Sequence, residues 1–144
     1  MSDASLGRVD VPPQPLPDVD SQPWWDATAA GRLALCRCAE CRAWLHPPLE
    51  RCRHCGGVTA FEELPGAGAG IIAGVIVMHR ASVPGQGVTP HAIVLVDLDD
   101  ATGVRLTGRV GGASPADVRV GRRVTTRIVD VPGGPYHQPE FLLA

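Results

Sequence analysis

Two C-x-x-C pairs, Cys38-Ala-Glu-Cys41 and Cys52-Arg-His-Cys55, stand ten residues apart and constrain this chain more than any other feature. Each pair can turn two thiols toward one point, and two facing turns complete a tetrahedral four-sulfur site. Soft thiolates in that geometry select zinc or iron–sulfur chemistry over hard cations. Neither pair sits in a βαβ pattern, which speaks against a pair of unmetallated redox motifs. Zinc is therefore expected on Cys38, Cys41, Cys52 and Cys55, although the residues alone do not separate it from mononuclear iron. Four thiolates leave no position open for water or substrate, so the ion is structural. Cys36 stands outside the pattern; on a strand it shares a face with Cys38 and reads as a buried spectator thiol. His46 and His54 carry ligand chemistry too, but the four cysteines already complete the set.

The remainder divides by composition. Residues 1–19 form a proline-rich arm without a core of its own, extended and available to lie against a partner. Residues 20–32 predict one short helix, with Asp20 or Ser21 as cap, Pro23 in the first turn and Gly31 at the exit. Trp24 and Trp25 are adjacent and cannot both face inward, so they are candidates for docking onto a partner as well as for packing the helix on its own domain. The ribbon occupies 33–64, with Leu33, Leu35, Trp44, Leu45 and Leu49 as its core candidates. Residues 65–70, Pro-Gly-Ala-Gly-Ala-Gly, read as a flexible joint.

Residues 71–144 are β in pattern. Runs at Ile71–His79, His91–Leu98, Val104–Val110 and Val118–Val131, the last broken near Gly121, precede a short Phe141-Leu-Leu. Ser114-Pro-Ala-Asp117 predicts a single helical turn after the third run. Such a chain is mainly β, and its strands fit a five-stranded OB-type barrel; an SH3-like barrel or a small sandwich fits the strand count nearly as well.

Several functions are disfavoured at this level. A barrel that binds single strands stacks bases on aromatic rings along a basic groove. Residues 69–131 contain no Phe, Tyr or Trp, and seven arginines there face five aspartates. Nucleic acid is therefore not the expected partner. The longest uncharged run, Pro65–Met78, is glycine-rich and too short for a bilayer span of about 20 apolar residues. The start shows no secretory signal, and the odd cysteine count suits a cytoplasmic address. The arginines, Arg105 and Arg109 among them, suit the phosphates of a nucleotide-bearing ligand such as coenzyme A. His79 and His91 offer acid–base groups, but no nucleophile is paired with either at readable spacing.

An ordered set of motifs resembles the two-domain zinc-ribbon and OB-fold family associated with acyl-CoA metabolism. It comprises Pro23-Trp24-Trp25, Gly31-Arg32-Leu33, the two C-x-x-C pairs, His46-Pro47-Pro48, Met78-His79-Arg80, Pro90 to Val96, Gly103 to Leu106 and Asp117 to Gly121. The resemblance implies a rubredoxin-like zinc ribbon followed by an OB barrel, in a non-catalytic subunit that binds a thiolase-superfamily enzyme. That partner would be a thiolase or a lipid-transfer-protein-like aldolase cleaving steroid side-chain CoA esters. Some members are fused to an enoyl-CoA hydratase, which makes such a hydratase a further partner. In these complexes the barrel helps form the acyl-CoA channel, so acyl-CoA would be a shared ligand, with His79, Arg80, His91, Arg105 and Arg109 as its candidate contacts. The loop Ala81–Pro90 would meet the partner enzyme. A stand-alone acyl-CoA-binding module or hydrolase is the alternative. Two positions depart from the family pattern: Leu49 where arginine is frequent, and Arg42 where glycine commonly follows the first C-x-x-C.

Overall fold

The computed structural model describes residues 11–144 apart from 82, 84 and 86. Residues 1–10 of the proline-rich arm, and three positions of the Ala81–Pro90 loop, thus lie outside the described residues. From residue 11 the arm runs without regular structure along the molecule's own surface, where the Gln14 side-chain amide donates to the Pro132 carbonyl at 2.9 Å.

Helix α1 covers Gln22–Ala29 with Pro23 in its first turn, and Gly31 leaves it at φ +74°. Ser21 precedes the helix but does not cap it through its side chain. Its hydroxyl donates instead to the Asp18 carboxylate at 2.6 Å, so Asp18 fixes the entry. Three strands follow, β1 (Ala34–Cys38), β2 (Trp44–Leu45) and β3 (Thr59–Glu63), in an antiparallel sheet of order β2-β1-β3.

The second sheet holds β4 (Gly70–Met78), β5 (His91–Leu98), β6 (Arg105–Arg109), β7 (Arg123–Asp130) and β8 (His137–Leu143), ordered β6-β5-β4-β7-β8. A 3-10 turn at Pro115–Asp117 follows β6, with the Ser114 hydroxyl accepting from the Ala116 N–H at 3.4 Å. The outer strands curl toward each other: Val110 and Phe141 form a parallel bridge, and the Gly111 N–H donates to the Phe141 carbonyl at 2.9 Å. This is the five-stranded OB arrangement, closed by that short contact rather than by a full ladder. Gly108 makes the closure possible, because a Cβ there would stand 2.7 Å from the Phe141 ring.

The fourth apolar run contains two features in place of one strand. Val118 is buried, Gly121 turns at φ +90°, and only then does β7 begin. The last strand starts four residues before the apolar triplet, because His137, Gln138, Pro139 and Glu140 pair with Asp130, Val129, Ile128 and Arg127.

One core serves both sheets. Leu33, Leu35, Trp44 and Leu64 pack in the same cluster as Ile72, Val94, Val96, Leu106, Val124 and Phe141. Leu49, a core candidate from sequence, is 40% exposed, and it is its main-chain carbonyl that is used, accepting from the Thr59 hydroxyl. In the glycine-rich 65–70 segment, residues 65–67 are exposed and Gly68 and Gly70 are buried. Gly68, at φ +70°, accepts from the Thr126 hydroxyl at 2.6 Å, and a Cβ on it would lie 2.7 Å from the Leu33 side chain. A second, smaller cluster of Cys36, Cys38, Leu45 and Cys52 surrounds the cysteine site.

Candidate metal centre and flanking surfaces

Strand β1 delivers Cys38 at its last residue, and the turn into β2 delivers Cys41; Cys52 and Cys55 come from the facing turn ahead of β3. The four Sγ atoms lie within 4.8 Å of one another, with Cys38 to Cys55 at 3.5 Å and Cys41 to Cys52 at 3.6 Å. Sulfurs placed about 2.3 Å from a central zinc would be separated by about 3.8 Å, so the quartet has the dimensions of a tetrahedral site. Cys38 and Cys52 are buried, Cys41 and Cys55 exposed.

Each turn also aims main-chain N–H groups at sulfur. Glu40 and Cys41 donate to Cys38 Sγ at 3.4 Å each, His54 to Cys52 Sγ at 3.3 Å, and Gly57 to Cys55 Sγ at 3.4 Å. Such donors stabilise thiolates rather than thiols. Burial alone would raise the Cys38 thiol, but the N–H groups of Cys41 and Glu40 outweigh it and bring it down to about 6. At Cys41 the Ala43 N–H favours ionisation, yet burial and the sulfurs of Cys55, Cys52 and Cys38 push the thiol up to about 12. Four clustered sulfurs do not all ionise on their own, and a divalent cation resolves that repulsion. The donor set thus fits a soft tetrahedral ion, and the four cysteines are arranged to hold it.

The two turns differ in one respect. Gly56 follows the second pair at φ +77°, and Arg42 follows the first at φ +62°. Arg42 is the only non-glycine residue at positive φ among the described residues. Its Nη2 alone donates to both oxygens of the Glu62 carboxylate, at 2.9 and 2.7 Å, an anchor that accompanies the strained backbone. Arg42 first, then Arg37, also hold the Glu62 carboxyl below its ordinary range against the opposing effect of burial. A Cβ on Gly57 would crowd the Glu40 carboxylate at 2.9 Å and Cys38 Sγ at 3.0 Å. Cys36 is buried beside the centre, 3.6 Å from the Leu49 carbonyl, outside the quartet.

His46 packs its ring against Trp24, the centroids 6.3 Å apart. Burial lowers the His46 pKa below its ordinary 6.5. The unfolded chain then takes up the proton first as pH falls, so the folded state loses stability below about pH 6.5 and is unaffected above it. Denaturation of wild type and His46→Gln between pH 5 and 8 should show a gap that changes only in that acidic window.

The tryptophans split as adjacent helical residues must. Trp24 packs against the shared core, and Trp25 meets Tyr136 edge-on at 5.5 Å. Both remain half-buried and line a cleft of about 270 Å³ with Arg109, Pro139 and Glu140. The five candidate acyl-CoA contacts do not form one cluster. His79 and Arg80 are exposed at the end of β4. His91 is buried with Nδ1 3.0 Å from the Val88 carbonyl, which Arg109 also approaches at 3.0 Å, so these two hold the base of the 81–90 loop. Arg105, at the other end of β6, is paired to Asp97 at 2.7 Å. Arg123 pairs with Asp99, just past the end of β5, and Arg127 with Glu140, so carboxylates occupy three of the barrel's seven arginines. No described helix is long and apolar enough to cross a membrane.

A four-cysteine ribbon fused through a common core to an OB-type barrel defines the class: a two-module zinc-ribbon and OB-fold protein. The chain belongs to the ChsH2 family. The model of the ChsH2 rubredoxin-like zinc ribbon domain matches residues 25–62, and that of the ChsH2 C-terminal OB-fold domain matches 63–135. Among solved structures, the chain is similar to one titled Ltp2-ChsH2(DUF35) aldolase, at 28% identity and TM-score 0.79, covering 90% of this chain and 98% of that one. A DUF35-family protein of unknown function from Sulfolobus solfataricus shares the fold at 14% identity and TM-score 0.59, over 88% of this chain and 86% of that one. Curated relatives include the 3-oxo-4,17-pregnadiene-20-carboxyl-CoA hydratase alpha subunit of Mycobacterium tuberculosis, 33% identical over 78% of this chain and 35% of the relative. A DUF35 domain-containing scaffold protein of Methanocaldococcus jannaschii is 32% identical over 61% of each chain. The chain spans about a third of the length of the hydratase alpha subunits it matches, a probable enoyl-CoA hydratase alpha subunit of Thermomonospora curvata being the other, 32% identical over 78% of this chain and 34% of that one.

Proposed function

We propose that this chain is a non-catalytic accessory subunit of a thiolase-like acyl-CoA enzyme, an aldolase or thiolase acting on CoA esters of the steroid side-chain kind. It stabilises that enzyme and helps form its acyl-CoA channel in the cytoplasm. The observation that carries the reading is the likeness to the chain titled Ltp2-ChsH2(DUF35) aldolase, which this chain matches almost end to end. The scaffold name of the archaeal relative points the same way. Hydration does not carry over, because about two thirds of each hydratase alpha subunit lies beyond the match.

In this reading the metal stiffens the ribbon, and the shared core passes that rigidity to the barrel. Cys38, Cys41, Cys52 and Cys55 hold structural zinc. His91 and Arg109 set the loop base, leaving the exposed His79 and Arg80 to meet the phosphates of acyl-CoA at the enzyme's channel mouth. Trp24 and Trp25 present their half-buried rings beside β6 and β8, in the cleft that Arg109 also lines. Co-expression with a thiolase-like protein encoded nearby should give a complex that copurifies. Failure to copurify with any such candidate would sink the reading.

A further inference from the structure

Strand β4 is covered unevenly. Its N-terminal residues Gly70 and Ile71 pair with β7 on one side and β5 on the other, and Ile72 exchanges main-chain hydrogen bonds with Gly121 and Arg122. A register shift between Ile72 and Gly74 then bends the strand away. From Gly74 to Met78 it pairs only with β5, and among the described residues no main-chain hydrogen bond reaches its other edge. That edge carries no charge and no proline, and its Ile76 is 59% exposed. Unpaired edges of this kind are usually shielded by charge, proline or a covering segment, because they template the addition of a strand.

Charge frames the edge. Arg80 lies just beyond its C-terminal end, and the Arg119–Arg122 turn abuts its N-terminal end through Ile72. Six of the twelve described arginines face carboxylates: Arg32, Arg37, Arg42, Arg105, Arg123 and Arg127 are all ion-paired. Arg80, Arg119 and Arg122 have no carboxylate partner among the described residues, and Arg122 donates only to the Asp117 carbonyl. The complement of this surface is a short apolar strand with a carboxylate at each end. A second copy does not fit: antiparallel pairing centred on Ile76 would set Arg80 of each copy beside Arg122 of the other.

We infer that Gly74–Met78 is a docking edge onto which the partner enzyme adds an extended apolar segment flanked by acidic residues. The inference rests on the accessory reading and names the surface it uses. Main-chain hydrogen bonds along about 17 Å of strand supply affinity, and the flanking arginines fix register.

The test uses the metal-loaded chain and two peptides, Glu-Val-Thr-Val-Thr-Val-Glu and its counterpart with lysine at both ends. Amide hydrogen exchange should slow at Gly74–Met78 by at least about tenfold with the acidic-ended peptide and not with the other. The double variant Arg80→Glu/Arg122→Glu, altered only at exposed side chains, should reverse that preference. No slowing, equal slowing by both peptides, or slowing elsewhere overturns the inference. So does concentration-dependent self-association that protects these amides without peptide. Copurification judges the accessory reading separately, so a failed docking edge is distinguishable from a failed accessory reading.

Discussion

Removing the metal is expected to unfold the ribbon and to loosen the barrel with it. Structural zinc in small thiolate domains contributes about 10–16 kcal/mol of apparent binding energy, which exceeds what a domain of this size retains as net stability. The ribbon has little else to hold it. Its private cluster is Cys36, Cys38, Leu45 and Cys52, and β2 is only two residues long. Its other buried side chains, Leu33, Leu35, Trp44 and Leu64, are shared with the barrel. Their displacement would expose the barrel's core on that side. Chelation, or Cys52→Ser, should therefore abolish the ribbon's dispersed amide signals and lower the melting temperature of the whole chain. Cys36→Ser should keep one bound ion per chain with nearly unchanged melting. A chelated chain that melts like the loaded one would refute this picture.

The second large effect is expected at Phe141. This ring is fully buried, lies over Gly108, and sits where β8 bridges to Val110 to close the barrel. Phe141→Ala removes the largest fully buried side chain, at the bridge between the outer strands. Such truncations cost about 3–5 kcal/mol, and urea denaturation of the metal-loaded chain should report a loss in that range. Val120→Ala, at a position 64% exposed, serves as the control with little change. A loss under about 1 kcal/mol at Phe141 would mean that the closure carries no weight.

The cysteine spacing made the metal centre legible because ligand geometry is encoded locally. Two short turns fix it, and nothing distant is needed. The barrel strands rich in Ile and Val were legible for a similar reason. β8 was hidden at its start because His137 to Glu140 are polar; they form a strand only through the register with β7, including the Arg127 to Glu140 pair. Leu49 misled because hydrophobicity does not report which way a loop residue points. The arginines looked like a phosphate cluster along the sequence, yet Asp97 on β5, Asp99 just past its end and Glu140 on β8 pair with Arg105, Arg123 and Arg127. Arg42 shows the converse: its departure from glycine is visible in sequence, whereas the Glu62 contact that accompanies it depends on β3 folding back.

As a non-catalytic subunit, this chain would complete another enzyme and do no chemistry alone. The most direct measurement is CoA-ester turnover by the co-expressed thiolase-like protein, assayed with this chain present, omitted, and on its own. A copurifying complex is expected, with turnover that falls at least about tenfold without the chain and none from the chain alone. A thiolase-like enzyme equally active and stable without it, or turnover by the isolated chain, would contradict the claim.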